Sequence, residues 1–234
     1  MAGHELAEPD NLSHDRLHRA LVDLLVARLR PVRPLWPVGR RLMLWLAIEI
    51  AVLVETLIET SNRWVLKLEH PLYTLEVVFF AVAAVIVASM ALRAAIPGRE
   101  PAAWQRGLAI VLAVIGTAML FVVPARTDLS LADFVAAGRA CAWATCVKAA
   151  LPWVVLWWAI ARGAPRNGGV AGSMVGAAAM LFSFAIMRLG CPLDDPLHLV
   201  TWHLGPVVLV TILSAFAGSI WLRPVVRSSP LVSE

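Results

Sequence analysis

Residues 168–187, GGVAGSMVGAAAMLFSFAIM, run for twenty positions without a charge before Arg188 closes the stretch. About 20 apolar residues in a row is the length that carries an α-helix across the hydrocarbon core of a bilayer. Gly168, Gly172 and Gly176 recur every four residues. They therefore share one helix face, along which a neighbouring backbone can approach closely. We read that stripe as packing inside one bundle rather than as a dimer interface. The core of this segment, Val170 to Leu189, is the fifth of six apolar runs; the others are Leu42 to Glu59, Leu72 to Leu92, Leu108 to Val123, Cys141 to Ala161 and Leu199 to Leu222. Proline and glycine punctuate the breaks, in HPLY, IPGREP, VPARTD, RGAPRNGG and GCPLDDPL, where they stop helices for steric reasons.

The sequence therefore predicts an all-α polytopic membrane protein with six transmembrane helices. Composition agrees: 60% of residues are hydrophobic, 15% are charged and the mean hydropathy is +0.76, too apolar for an ordinary soluble domain. The expected organisation is a cytoplasmic N-terminal segment over 1–41, a six-helix domain over 42–222 and a cytoplasmic tail over 223–234. No large soluble domain fits beside six spans, and no cleavable signal peptide is expected in the polar first forty residues. Fourteen of the twenty Lys and Arg residues fall on one side of the six runs, which by the positive-inside rule places both termini in the cytoplasm. The net charge of +4 comes from loop arginines rather than a basic face with interleaved aromatics, so direct nucleic-acid binding is not expected.

The segment LSHDRLHRALVDLLVARLRPVRP puts Leu17, Leu21, Leu24, Leu25 and Leu29 on one helical stripe with charges mostly elsewhere. A basic amphipathic helix of this kind can lie on membrane lipid, or seat its stripe in the groove of a soluble partner.

The three cysteines exclude a disulfide framework and allow at most one internal bridge. The derived topology puts Cys141, Cys146 and Cys191 at the outer ends of their helices, in a compartment that in bacteria is oxidising. Five residues on an α-helix turn about 500°, so Cys141 and Cys146 point apart, and either could meet Cys191. Near Cys191 stand Asp194, Asp195, His198 and His203. Thiolate and imidazole suit soft and borderline metals, which makes His198 and His203 candidates to assist a metal, with Lys148 or Arg188 favouring thiolate. The spacing matches no closed zinc motif. Asp194 or Asp195 could instead cap the last helix. Glu49 and Glu55 lie at membrane depth, the position expected for ion or proton movement or for a neutral acid bonded to another helix, while Glu59 reaches the interface. Most tryptophans, among them Trp36, Trp45, Trp104 and Trp202, read as an aromatic belt. No nucleotide loop, nucleophile elbow or metalloprotease helix is present, so neither catalysis nor a cofactor is expected.

LRPVRPLWPVGRR before the first run, IPGREP after the second, RGAP with the following AG and G across the fourth and fifth, and GCPLDDPLHLVTWHLG before the sixth together resemble the NrsF family, negative regulators of sigma F. The similarity extends from about Leu17 to Arg223. The resemblance implies a six-span anti-sigma factor of the bacterial inner membrane. It would hold an extracytoplasmic-function sigma factor at the cytoplasmic face and sense heavy-metal or oxidative stress through outer cysteines. Cys191 matches the family's second cysteine, ahead of the pattern formed by His198, Trp202 and His203. The first matches Cys141 or Cys146, of which Cys141 is the closer. The sigma contact then falls on Leu17, Leu21, Leu24, Leu25, Arg28, Arg30 and Arg33. The competing expectation is a small ion or metabolite transporter or channel using Glu49, Glu55 and the cysteines; a thiol-redox protein ranks last because no CxxC is present.

Overall fold

The computed structural model describes residues 10–27, 34–60, 63–122 and 130–222. Every regular element among them is helical. The chain divides into two compact units, Met1–Leu35 and Trp36–Glu234.

The first unit contains α1 (Asp10–Ala27). Leu17, Leu21, Leu24 and Leu25 are each more than half exposed along it, so the stripe has no apolar cover among the described residues of its unit. Arg28, Arg30 and Arg33 lie outside the described residues.

The second unit holds α2 (Val38–Glu59), α3 (Arg63–Leu68), α4 (Pro71–Ala94), α5 (Ala103–Met119), α6 (Leu131–Ala161), α7 (Gly168–Gly190), α8 (Pro196–His198), a π-helical segment (Leu199–Leu204) and α9 (Gly205–Trp221). Four helical stretches are long and apolar enough to cross a membrane: α4, α6, α7 and the continuous Pro196–Trp221. The other two expected spans differ in kind. α2 is 22 residues long but carries Arg40, Arg41, Glu49, Glu55 and Glu59, and α5 has only 17 residues. α6 begins ten residues before the apolar run at Cys141, because Ser130 caps it by accepting from the Asp133 amide at 3.2 Å and the intervening LADFVAAGRA is made largely of good helix formers.

α7 is the central helix: 78% of its most apolar window is buried, against 17% for the last span. It packs against α9, α4, α6 and α2. Small residues, including Ala84, Ala88, Ala91, Ala171 and Ala178, bring the helices together, and Trp45 fills the gap between them edge-on to Phe182. Trp45 is thus fully buried, not a belt residue. Gly168, Gly172 and Gly176 all face α9, the intramolecular use expected of the stripe. The outer surface is the apolar one, with Ile58, Ile110, Val114, Ile212 and Phe216 each at least 60% exposed. A surface of that kind suits lipid and would be an aggregation liability in water.

Antiparallel packing gives the bundle two chemically distinct ends. At one, Arg41 is buried and donates to the Ala159 carbonyl at 3.2 Å and the Leu92 carbonyl at 3.3 Å. A cation there answers the unpaired carbonyls and negative dipole ends of α6 and α4. Gly98, at φ 80°, turns the chain from α4 towards α5 at this same end. The other end carries the cysteines.

Candidate functional site

Three segments build the cysteine end. α6 presents Cys141 and, one turn later, Thr145; the end of α7 delivers Cys191; and the 196–204 segment brings His198 and His203. Cys191 follows directly on α7 with extended backbone at φ −74°, ψ 128°. Asp195 then accepts from the His198 amide at 2.9 Å and starts the next helix, the capping role expected of one of the two aspartates.

Cys141 Sγ lies 3.6 Å from Cys191 Sγ, and His198 Nε2 lies 3.6 Å from Cys191 Sγ. One ligand atom from each of Cys141, Cys191, His198 and His203 falls within 4.8 Å of all the others. The convergence depends on the π-helical turn. His198 and His203 are five residues apart, a spacing that splays side chains on an α-helix, whereas a π turn closes i to i+5 and stacks them. Their rings stand 5.4 Å apart, centroid to centroid.

Both imidazoles are fully buried, and His198 Nδ1 and His203 Nε2 have no hydrogen-bond partner among the described residues. Phe134 packs edge-on against His198 and also touches Trp202, while Phe184 packs edge-on against His203. Trp202 covers Gly138, where any Cβ would overlap the indole ring, so Trp202 is part of the site wall rather than of a belt. An aromatic-walled cluster of two thiols and two imidazoles results, with Cys141 half-buried and the other three buried. The Cys141 thiol, and after it His198 and His203, hold the Cys191 thiol well below its ordinary range, against burial, which pushes it up. Cys191 is therefore the thiolate-prone member.

An ion-pair network fixes the loop that carries Cys191. Arg188, 1% exposed, bonds Glu76 through Nε at 2.6 Å and through a second nitrogen at 3.2 Å, and Asp194 at 2.7 Å. Lys67 donates to Asp194 at 2.9 Å and to the Cys191 carbonyl at 2.6 Å, and the Tyr73 hydroxyl donates to the Arg188 carbonyl.

Several expected placements are corrected here. Cys146 is not in the cluster; it is half-buried against Ala149, Phe184 and their apolar neighbours. Lys148 is committed to Glu59 at 3.0 Å and Glu55 at 3.7 Å, and Arg188 to carboxylates, so histidines rather than these cations adjoin the thiols. Glu49 is fully buried, but its carboxyl oxygens have no partner on another helix among the described residues. Thr145, Glu76 and Lys67 were missed by the sequence reading; only the four-residue step from Cys141 to Thr145 could have flagged one of them. Leu17, Leu21, Leu24 and Leu25 belong to α1 in the first unit.

A family model described as NrsF, negative regulator of sigma F, matches residues 25–223. No curated protein and no solved structure matches the chain.

Proposed function

Because the chain belongs to the NrsF family of negative regulators of sigma F, we propose that it is a six-span anti-sigma factor of the bacterial inner membrane. In this reading α2, α4, α5, α6, α7 and the Pro196–Trp221 stretch all cross the bilayer. The arginine end and both termini face the cytoplasm, and the cysteine end faces out. The first unit sequesters an extracytoplasmic-function sigma factor, with Leu17, Leu21, Leu24 and Leu25 as the apolar contact and Arg28, Arg30 and Arg33 as charged ones. The exposure of that stripe supports the assignment.

The sensory half is carried by one observation, the 3.6 Å approach of Cys141 and Cys191 across two helices. A heavy metal or an oxidant acting on this pair changes how α6 and α7 pack, and a bundle with two packings transmits the change inward to release the sigma factor. Cys146, outside the cluster, is not a sensor. A nearly complete switch, from about 99:1 bound to 1:99, needs a difference in affinity between the two states of about 5.5 kcal/mol.

The test is capture of a co-expressed sigma factor by the full chain and by a variant lacking residues up to Arg30, before and after Cd2+. Capture is expected to vanish on truncation, and Cd2+ is expected to weaken it in the full chain and in Cys146→Ser but not in Cys191→Ser. Absence of capture together with ion flux in liposomes that Glu49→Gln abolishes would establish the transporter instead.

A further inference from the structure

We propose that Cys141, Cys191, His198 and His203 form a closed four-coordinate site for a zinc-class divalent cation, with the two histidines as full ligands. The proposal deepens, and rests on, the reading of this end of the bundle as the sensory one.

The spacing is that of a coordination shell. Metal–sulfur bonds of about 2.3 Å and metal–nitrogen bonds of about 2.0 Å in a tetrahedron put sulfurs about 3.8 Å apart and sulfur about 3.5 Å from nitrogen. Two of the observed separations match these, 3.6 Å between the sulfurs and 3.6 Å from Cys191 Sγ to His198 Nε2, and all four ligand atoms lie within 4.8 Å of one another. Two thiolates and two imidazoles are the donor set of structural zinc sites, and among the described residues no further Cys, His, Asp or Glu joins the group.

Burial adds an independent argument. A fully buried imidazole nitrogen without a partner is costly. His203 Nε2 is such an atom, and a cation bound to it removes that cost. The tautomer is set by Thr145. Its hydroxyl donates to the Cys141 carbonyl at 2.8 Å, which leaves an oxygen lone pair facing His203 Nδ1 at 3.4 Å. Nδ1 then carries the proton and Nε2 the free lone pair, the arrangement by which outer groups orient a metal-bound histidine. Binding is a proton-for-metal exchange: each thiol that is protonated beforehand releases one proton as its sulfur–metal bond forms, and no electrons move.

The site predicts a histidine requirement that a sensor built only on two thiols would not have. The experiment uses the purified full chain in detergent, reduced and stripped of metal, titrated with Co2+ and then Cd2+. One equivalent of Co2+ is expected to give the absorption of a tetrahedral thiolate complex, which Cd2+ displaces. His203→Gln and Cys191→Ser should abolish that band, Cys146→Ser should leave it intact, and Thr145→Val, which keeps all four ligands, should weaken affinity about 10- to 100-fold. Circular dichroism reports whether each variant is folded. An unchanged band in folded His203→Gln, or no saturable Co2+ binding by the wild-type chain, overturns the site. No sigma factor is present in this assay, so failure to capture one would sink the anti-sigma reading while leaving the metal site standing.

Discussion

Gly172→Leu is expected to prevent assembly of the bundle, while Gly169→Ala three positions away has little effect. A Cβ at Gly172 would overlap the Ser214 carbonyl oxygen and come within 3.1 Å of Gly218 Cα. These are backbone atoms of α9, so no rotamer change relieves the contact; the helices must separate. Overpacking of a close seam costs about 1–3 kcal/mol where side chains can adjust, and more where they cannot. The reciprocal contact is as tight, since a Cβ at Gly218 would lie 3.0 Å from Gly172 Cα. At Gly169 the nearest atom to an added Cβ is 3.5 Å away, an ordinary contact. Size-exclusion behaviour and thermal melting of the detergent-purified variants separate the two. Equal profiles for Gly172→Leu and Gly169→Ala would mean that α7 and α9 do not meet along this stripe.

That seam was legible in the sequence because its signal is local: three glycines at a four-residue period have one reading on a helix. The apolar runs were legible as helices for the same reason, four of them long and apolar enough to cross a membrane, although the start of α6 was not, since the Ser130 cap and a mildly polar first three turns give no hydropathy signal. The five-residue spacing rule was instructive in both directions. It separated Cys141 from Cys146 correctly, because α6 is a regular α-helix through both. Applied to His198 and His203 it would have split a pair that the π-helical segment brings together, and nothing in LHLVTWHLG announces a π turn. The roles of Lys148 and Arg188 were misread because ion pairing depends on which helices become neighbours. Glu59 and Glu76 claim those cations through packing across 89 and 112 residues of chain, which spacing along one stretch of sequence does not encode.

Arg188→Ala is expected to cause the second large effect, and to report on the metal site as well as on the fold. Glu76 is 1% exposed and its two carboxylate oxygens bond Arg188. Removing the guanidinium leaves that carboxylate buried without its partner, a change that costs about 3–5 kcal/mol when one member of a buried ion pair is deleted. Replacing both members by apolar groups, as Glu76→Leu with Arg188→Met, is expected to recover most of the stability, because such swaps run from neutral to about 1–4 kcal/mol stabilising. The metal should behave differently. Arg188 also bonds Asp194, three residues beyond Cys191, and once Arg188 is gone Lys67 is the remaining side-chain partner of Asp194 among the described residues. The double variant should therefore melt near the wild-type temperature yet bind Co2+ about 10- to 100-fold more weakly, the usual effect of losing an outer group that orients a ligand. Recovery of both quantities together would make Arg188 a purely structural residue. Recovery of stability alone identifies it as the group that positions Cys191, linking the ion pair between α4 and α7 to the chemistry at the outer end.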